Sequence, residues 1–309
     1  MECTFLWSWR TLDHEKIAEA GIVVGIDTSR ESSLALEWAA HEAARRHVPL
    51  QILHAYSPDH PVAGAAFAGT ALPPTLTEAT ESVAQRACAV AATTAQTLHP
   101  DLVITTRPEP STPAGALVEA SRTAGMVVLG ARGLGAVRSI LLGSVSIHVA
   151  AHAHCPVVVV REAATRTLPD PRVIVGVDGY HSTGAVRFAF EQAAMRDLGL
   201  TVVHTWQLDG VEAADVSNAR AVDREVLDLQ ERALLSESIA GFREEFPTVD
   251  VRRHVVQRHP VEELVRLSEN ACLLVVGTRG RGSLAGLVEG SVSQGVLRRA
   301  LVLSPLSTL

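Results

Sequence analysis

The chain repeats itself at a spacing near 150 residues, and that duplication restricts its possible folds more than any other feature. Ile22-Val-Val-Gly-Ile-Asp27 returns as Val173-Ile-Val-Gly-Val-Asp178, an offset of 151. Leu53-His54-Ala-Tyr56 returns as Val203-His204-Thr-Trp206, an offset of 150. Residues 130–144, GARGLGAVRSILLGS, return as residues 277–291, GTRGRGSLAGLVEGS, an offset of 147. Offsets that nearly agree are what two tandem copies with small loop insertions give. The 309 residues therefore divide into two domains of about 145 residues, each able to bury its own core. The expected layout is a disordered leader over 1–19, one domain over 20–162, a linker over 163–171 and a second domain over 172–309.

Within the first copy, strand and helix patterns alternate. Gly21–Asp27 is apolar and β-branched, too short for a helix, and reads as a buried parallel strand. Ser32–His47 places Leu34, Ala35, Trp38, Ala39 and Ala43 at helical spacing. Leu50–Tyr56, Leu102–Thr105, Met126–Gly130 and Pro156–Val160 read as further strands, and Leu76–Leu98, Pro113–Ala124 and Gly143–Ala153 as helices. Such βαβ alternation requires right-handed crossovers and gives an α/β fold, a doubly wound parallel sheet with helices on both faces. Ligands of these sheets bind beyond the carboxyl ends of the strands, where strand order reverses. Asp27 ends strand one and Gly130 ends strand four, so neighbouring strands would bring them to one crevice.

The glycine pattern G-x-x-G, nine residues, then G-S follows an apolar strand in both copies. Glycine has no Cβ to block a ligand, and the helix opening at Gly143-Ser144 or Gly290-Ser291 supplies unpaired N–H donors for a phosphate. Other nucleotide signatures fail. No Gly-Lys pair exists for a Walker A loop, and the first turn reads Asp27-Thr-Ser-Arg-Glu-Ser rather than G-x-G-x-x-G.

With an aspartate ending the first strand of each copy, these motifs resemble those of the universal stress protein family, particularly its tandem two-domain actinobacterial members. The resemblance spans about residues 20–162 and 171–300. It implies two Rossmann-like domains of the adenine nucleotide alpha hydrolase kind, strand order 3-2-1-4-5, each binding ATP with Mg²⁺. It also implies a cytoplasmic homodimer engaged in stress-linked regulation or sensing rather than metabolic turnover. The implied phosphate cradle is Gly130, Arg132, Gly133, Gly143, Ser144, Val145 and Ser146. Its twin is Gly277, Arg279, Gly280, Gly290, Ser291, Val292 and Ser293. Asp27 and Asp178 would face the ribose or a phosphate-bound Mg²⁺, which prefers carboxylate and phosphate oxygens. Adenine would rest near Ala55 and Val127–Leu129 in the first copy, and near Thr205 and Val275–Val276 in the second.

Several of these residues carry a second reading. Asp27 could cap the following helix without touching a ligand. His54 and His204 read as structural histidines at strand ends rather than catalytic ones. His148, His152, His154 and Cys155 have metal-ligand spacing, but the second copy has Gly295, Arg299, Leu301 and Val302 there, which favours a solvated helix end. Cys88 and Cys272 read as buried inert thiols, and four cysteines without CxxC spacing suit a reducing compartment. Trp7 and Trp9 read as part of the leader, with a docking segment the alternative.

A net charge of −7 argues against a nucleic-acid ligand, and no apolar run reaches a membrane span. Neither glycine loop has an acidic residue in its first turn, so the expected activity is binding with at most slow ATP hydrolysis. The alternative is a structural stress protein with vestigial pockets acting through dimerisation. No protein partner is legible.

The copies differ near the C-terminus. The first runs through its last helix into Pro156-Val-Val-Val-Val160, whereas the second reads Leu301-Val-Leu-Ser-Pro-Leu-Ser-Thr-Leu309. Pro305 would interrupt a fifth strand, leaving at most Leu301–Ser304. The expectation is an exposed edge on strand four, a weaker second pocket, and a frameshifted or truncated gene end as the origin. Tyr180 also stands where the first copy has Ser29.

Overall fold

The computed structural model describes residues 2–7, 20–56, 74–133, 142–161, 170–178, 182–207, 224–277 and 291–300. The chain forms two compact units. The first lies within residues 8–162; the second comprises residues 163–309 together with Glu2–Trp7.

In the first unit the strands are β2 (Ile22–Gly25), β3 (Leu50–Tyr56), β4 (Ile104–Pro110), β5 (Met126–Gly130) and β6 (Val157–Arg161). They pair in parallel in the order β4-β3-β2-β5-β6, which is the expected 3-2-1-4-5. Val, Ile and Leu dominate β2, β5 and β6 because both faces are covered, and β5 and β6 are buried almost throughout. Helices α1 (Arg30–Arg46) and α2 (Pro74–Leu98) pack on each other and over β2, β3, β4 and β5. Helices α3 (Pro113–Ala120) and α4 (Ser144–His152) form the other layer, with α3 against β2 and β3. Expected Leu102–Thr105 is displaced: β4 begins at Ile104 and continues through Pro108 and Pro110. Two prolines fit there because β4 is an edge strand, where a missing N–H need break no ladder.

The second unit repeats this plan. Its strands are β7 (Arg172–Val177), β8 (Gly199–Trp206), β9 (Val251–Gln257) and β10 (Ala271–Gly277). They pair in parallel as β9-β8-β7-β10. Helices α5 (Thr183–Met195) and α6 (Arg224–Glu245) pack together, α5 on β7 and β10 and α6 on β8 and β9. Helix α7 (Pro260–Ser268) covers β7, β8 and β10 beside α8 (Ser291–Arg299). A stack of Phe190 with Phe242 and Phe246, ring centroids 5.7 Å apart, closes α5 onto the α6 end.

The fifth strand of this sheet departs from the expectation of a disordered leader. Glu2–Trp7 forms β1, which pairs in parallel with the outer side of β10: Thr4 with Leu274, Phe5 with Val275, Leu6 with Val276 and Trp7 with Gly277. Strand four of the second unit is therefore not bare at this edge. Aromatic and β-branched residues over Thr4–Trp7 suit an extended segment, a signal that lies outside the sequential repeat.

Candidate functional site

At the carboxyl ends of β2 and β5 the first unit encloses a cavity of about 450 Å³, within the ~300–1,000 Å³ of small-molecule sites. Its apolar wall includes Ile26, Leu53, Ala55, Leu117 and Leu129, and its polar rim Asp27, Arg132, Gly133 and Gly143–Ser146. The seven cradle residues expected from the first glycine motif, and Asp27, all line this space. The sequence also pointed to Ala55 and Leu129. It missed Leu117 and Pro113, which arrive from α3 without any local signature.

The turn after β2 is built around Asp27. Thr28 has φ 66°, the left-handed region that a β-branched residue enters at a cost of ~1–2 kcal/mol. The turn is held by the Ser29 N–H, which donates to Asp27 Oδ1 at 3.0 Å. Ser29, not Asp27, caps α1: its hydroxyl accepts from the Ser32 N–H at 3.2 Å. Asp27 thus spends one oxygen on the N–H of the cap residue, and Gly133 lies beside its other oxygen. A Cβ on Gly133 would collide with Asp27 Oδ2.

The other wall is the turn from β5 to α4. A Cβ on Gly130 would lie 2.8 Å from the Glu31 backbone, so only glycine lets the two turns approach. The Ala131 N–H donates to the Val160 carbonyl at 2.8 Å, and the Gly143 N–H donates to the Ala131 carbonyl at 2.7 Å. Gly143 is the N-cap of α4 and has no side chain to satisfy the first-turn donors. Ser144, Val145 and Ser146 occupy that first turn at the cavity. Positive helix-terminal potential and N–H groups without intrahelical acceptors favour an anion there.

Two expected ligand groups are engaged within the protein. The Ser146 hydroxyl donates to the Gly130 carbonyl at 2.8 Å, fastening the helix to the turn. Arg132 pairs with Glu31 at 2.6 Å, with the arginine side chain 34% exposed. Such a rim pair is worth only ~0.2–1 kcal/mol, so its main consequence is to hold the guanidinium at the cavity mouth.

In the second unit, Asp178 ends β7 in the same way but is held differently. The Ser182 hydroxyl donates to Asp178 Oδ1 at 2.6 Å, and the Asp178 N–H donates to the Ser182 hydroxyl. Gly277 ends β10, and Val292 and the buried Ser293 lie in the first turn of α8, with Ser291 as its first residue. Arg279, Gly280, Gly290 and Tyr180 lie outside the described residues.

The repeated histidines behave as structural groups. His54 Nδ1 faces the Ile26 carbonyl at 2.9 Å, and His204 Nδ1 faces the Val177 carbonyl at 3.1 Å. A carbonyl only accepts, so Nδ1 is the donor in both, and each ring staples strand two to the end of strand one. His204 additionally meets Glu231 through Nε2 at 2.6 Å. His148 and His152 stack with centroids 4.2 Å apart, and His152 Nδ1 bonds the His148 carbonyl. Cys155 is buried, and burial pushes its thiol up to about 12, as it does that of Cys272. Among the described residues no group of three or more such side chains is arranged to hold a metal. No described helix is long and apolar enough to cross a membrane.

Comparison with known proteins agrees with the duplication. The universal stress protein family profile matches residues 21–161 and again 171–302. The chain is similar to universal stress protein Rv2623 of Mycobacterium tuberculosis strain H37Rv, 34% identical over 296 residues, covering 91% of this chain and 93% of the relative. It is 37% identical over 289 residues to universal stress protein Rv2005c of the same strain, covering 91% and 95%. A crystal structure of a universal stress protein from Archaeoglobus fulgidus shares the fold, with TM-score 0.61 and 19% identity over 92% of this chain and 95% of that one.

Proposed function

The chain belongs to the universal stress protein family, and on that premise we propose that its first unit binds ATP, with Mg²⁺, as a regulatory module of a stress response. The observation that carries this reading is the cavity where β2 and β5 end. It joins an apolar wall, one oriented carboxylate and the uncapped start of a helix. Those three surfaces match the three parts of an adenine nucleotide. The flat base suits the wall at Ala55, Leu117 and Leu129. Ribose hydroxyls are donors, and Asp27 offers acceptor oxygens. The phosphates suit the first turn of α4 and the Gly130–Gly133 backbone. Mg²⁺ beside Asp27 would offset the repulsion between carboxylate and phosphates. In the second unit Asp178 follows β7, Gly277 ends β10 and Ser291 opens α8, and from this repeated chain order we infer a second, related site there.

We read a binder with at most slow hydrolysis. Turnover needs a group that positions water and one that stabilises the transferred phosphoryl group. At the first cavity Glu31 is tied to Arg132, and this reading gives Asp27 to the ribose or Mg²⁺ rather than to an attacking water. A homodimer in the cytoplasm is the setting this reading assumes.

The test is to denature purified protein and identify the released nucleotide by mass spectrometry. ATP at one to two per chain is expected, falling by one in Asp27→Ala. Protein that releases no nucleotide, and takes none up when ATP and Mg²⁺ are added, would sink the reading and leave the alternative of vestigial pockets.

A further inference from the structure

Strand β1 occupies the position in the second sheet that β6 occupies in the first. Val158 pairs with Val128 in the first unit, and Phe5 pairs with Val275 in the second. Val160 pairs with Gly130, and Trp7 with Gly277, the residue that opens the second glycine turn. In sequence order this place falls to Ser304-Pro-Leu-Ser-Thr308, the residues aligned with Val157–Arg161 at the offset of 147. Pro305 matches Val158 within the strand, where a missing N–H costs a ladder bond, and Ser304 and Ser307 replace Val157 and Val160. Cys3-Thr-Phe-Leu-Trp7 has the residue types that such a strand needs.

We propose that the outer edge of β10 is a strand-acceptor site whose occupant is residues 2–7, so that the second unit is completed by a segment remote in sequence and exchangeable for an identical peptide. Three features support this. The pairing is parallel and continuous over Thr4–Trp7. Helix α8 packs against β1, so the strand has contacts beyond its ladder. An edge of β10 left open would present unpaired N–H and C=O groups beside an otherwise buried apolar strand, a costly and aggregation-prone arrangement. Because the segment is not continuous with the unit it completes, the edge recognises it as it would a separate extended apolar peptide. The inference rests on strand pairing alone and stands whether or not the unit binds nucleotide. Trp7 beside Gly277 nonetheless puts the end of this strand where Val160 anchors the glycine turn of the first unit.

Hydrogen exchange of the full chain tests it. In the wild type, amides of residues 4–7 and 271–277 should exchange slowly. Fast exchange of residues 4–7 overturns the proposal without need of any variant. Leu6→Pro in the full chain should speed exchange over 271–277 by roughly tenfold or more, while residues 126–130 of the first unit stay unchanged. A synthetic peptide of residues 2–7, with two added lysines for solubility, should then restore slow exchange over 271–277. The same peptide with proline at the Leu6 position should not. Unchanged exchange in Leu6→Pro, or no restoration by the wild-type peptide, overturns the acceptor site.

Discussion

Asp27 is fixed from two sides, by a backbone N–H at Oδ1 and by the bare Cα of Gly133 at Oδ2. Its position depends on a residue more than a hundred positions away that contributes no side chain. Gly133 is exposed, so adding a methyl group there displaces the carboxylate without disturbing a core. Gly133→Ala is expected to weaken ATP binding by about tenfold or more, roughly 1.4 kcal/mol, with little change in thermal stability. Calorimetric titration checks this, and an unchanged affinity would remove Gly133 from the site. At this scale the sequence was legible wherever the two copies agree. His54 and His204 read as structural histidines at strand ends, although their repetition invites a catalytic role, and both bond a carbonyl at the end of strand one. The Arg132–Glu31 pair was not legible: it joins two turns, and nothing in either local pattern announces the partner.

Helix α1 starts at Ser29 because three hydroxyl and amide groups converge there. Ser29 accepts from the Ser32 N–H, and the Ser32 and Ser33 hydroxyls donate to the Ser29 carbonyl at 2.9 and 3.1 Å. Ser29→Ala should cost about 1 kcal/mol, lowering the melting temperature of the first unit by a few degrees. In the second unit, α7 carries Glu263, whose side chain is 1% exposed and is met by His254 at 2.7 Å, by Arg266 and by Arg258. The Arg266 hydrogen bond, followed by that of His254, holds the Glu263 carboxyl below its ordinary 4.5, against the opposing effect of burial. The unfolded chain therefore takes up this proton first, and stability that is full above about pH 4.5 falls as pH drops through the lowered folded value. Glu263→Gln should be less stable at pH 7 by about 1–3 kcal/mol and show a flatter loss below pH 4.5, as read by thermal melts across pH 3–7. An equally steep acid loss in the variant would assign it to other groups. Among elements, β-branched runs and helical spacing located the central strands and helices well. Edge strand β4 slid by several residues, since its polar sequence has no buried face to fix a register.

At the scale of the whole molecule, the duplication was the most legible property, because both copies must satisfy the same sheet, crossover and turn constraints. What escaped, among the described residues, was the pairing of β1 with β10, which breaks the order of those constraints. In chain order a fifth strand would follow α8, where Pro305 interrupts it and would leave the edge open. The sheet instead pairs with Glu2–Trp7, since chain order is no part of hydrogen-bond chemistry.

Strand β1 also bears on the time course of assembly. Thr4 and its partner Leu274 stand 270 positions apart, whereas Val127 and Val157 on the matching edge of the first unit stand 30 apart. At ~5–20 residues per second on the ribosome, β1 waits on the order of tens of seconds before β10 exists to receive it. During that interval an apolar, aggregation-prone hexapeptide has no native partner, while the first unit can already close. Ring closure across so long a loop is entropically slow, which makes this pairing a natural last step in folding. A strand made long before its partner would thus be among the last elements to find its place.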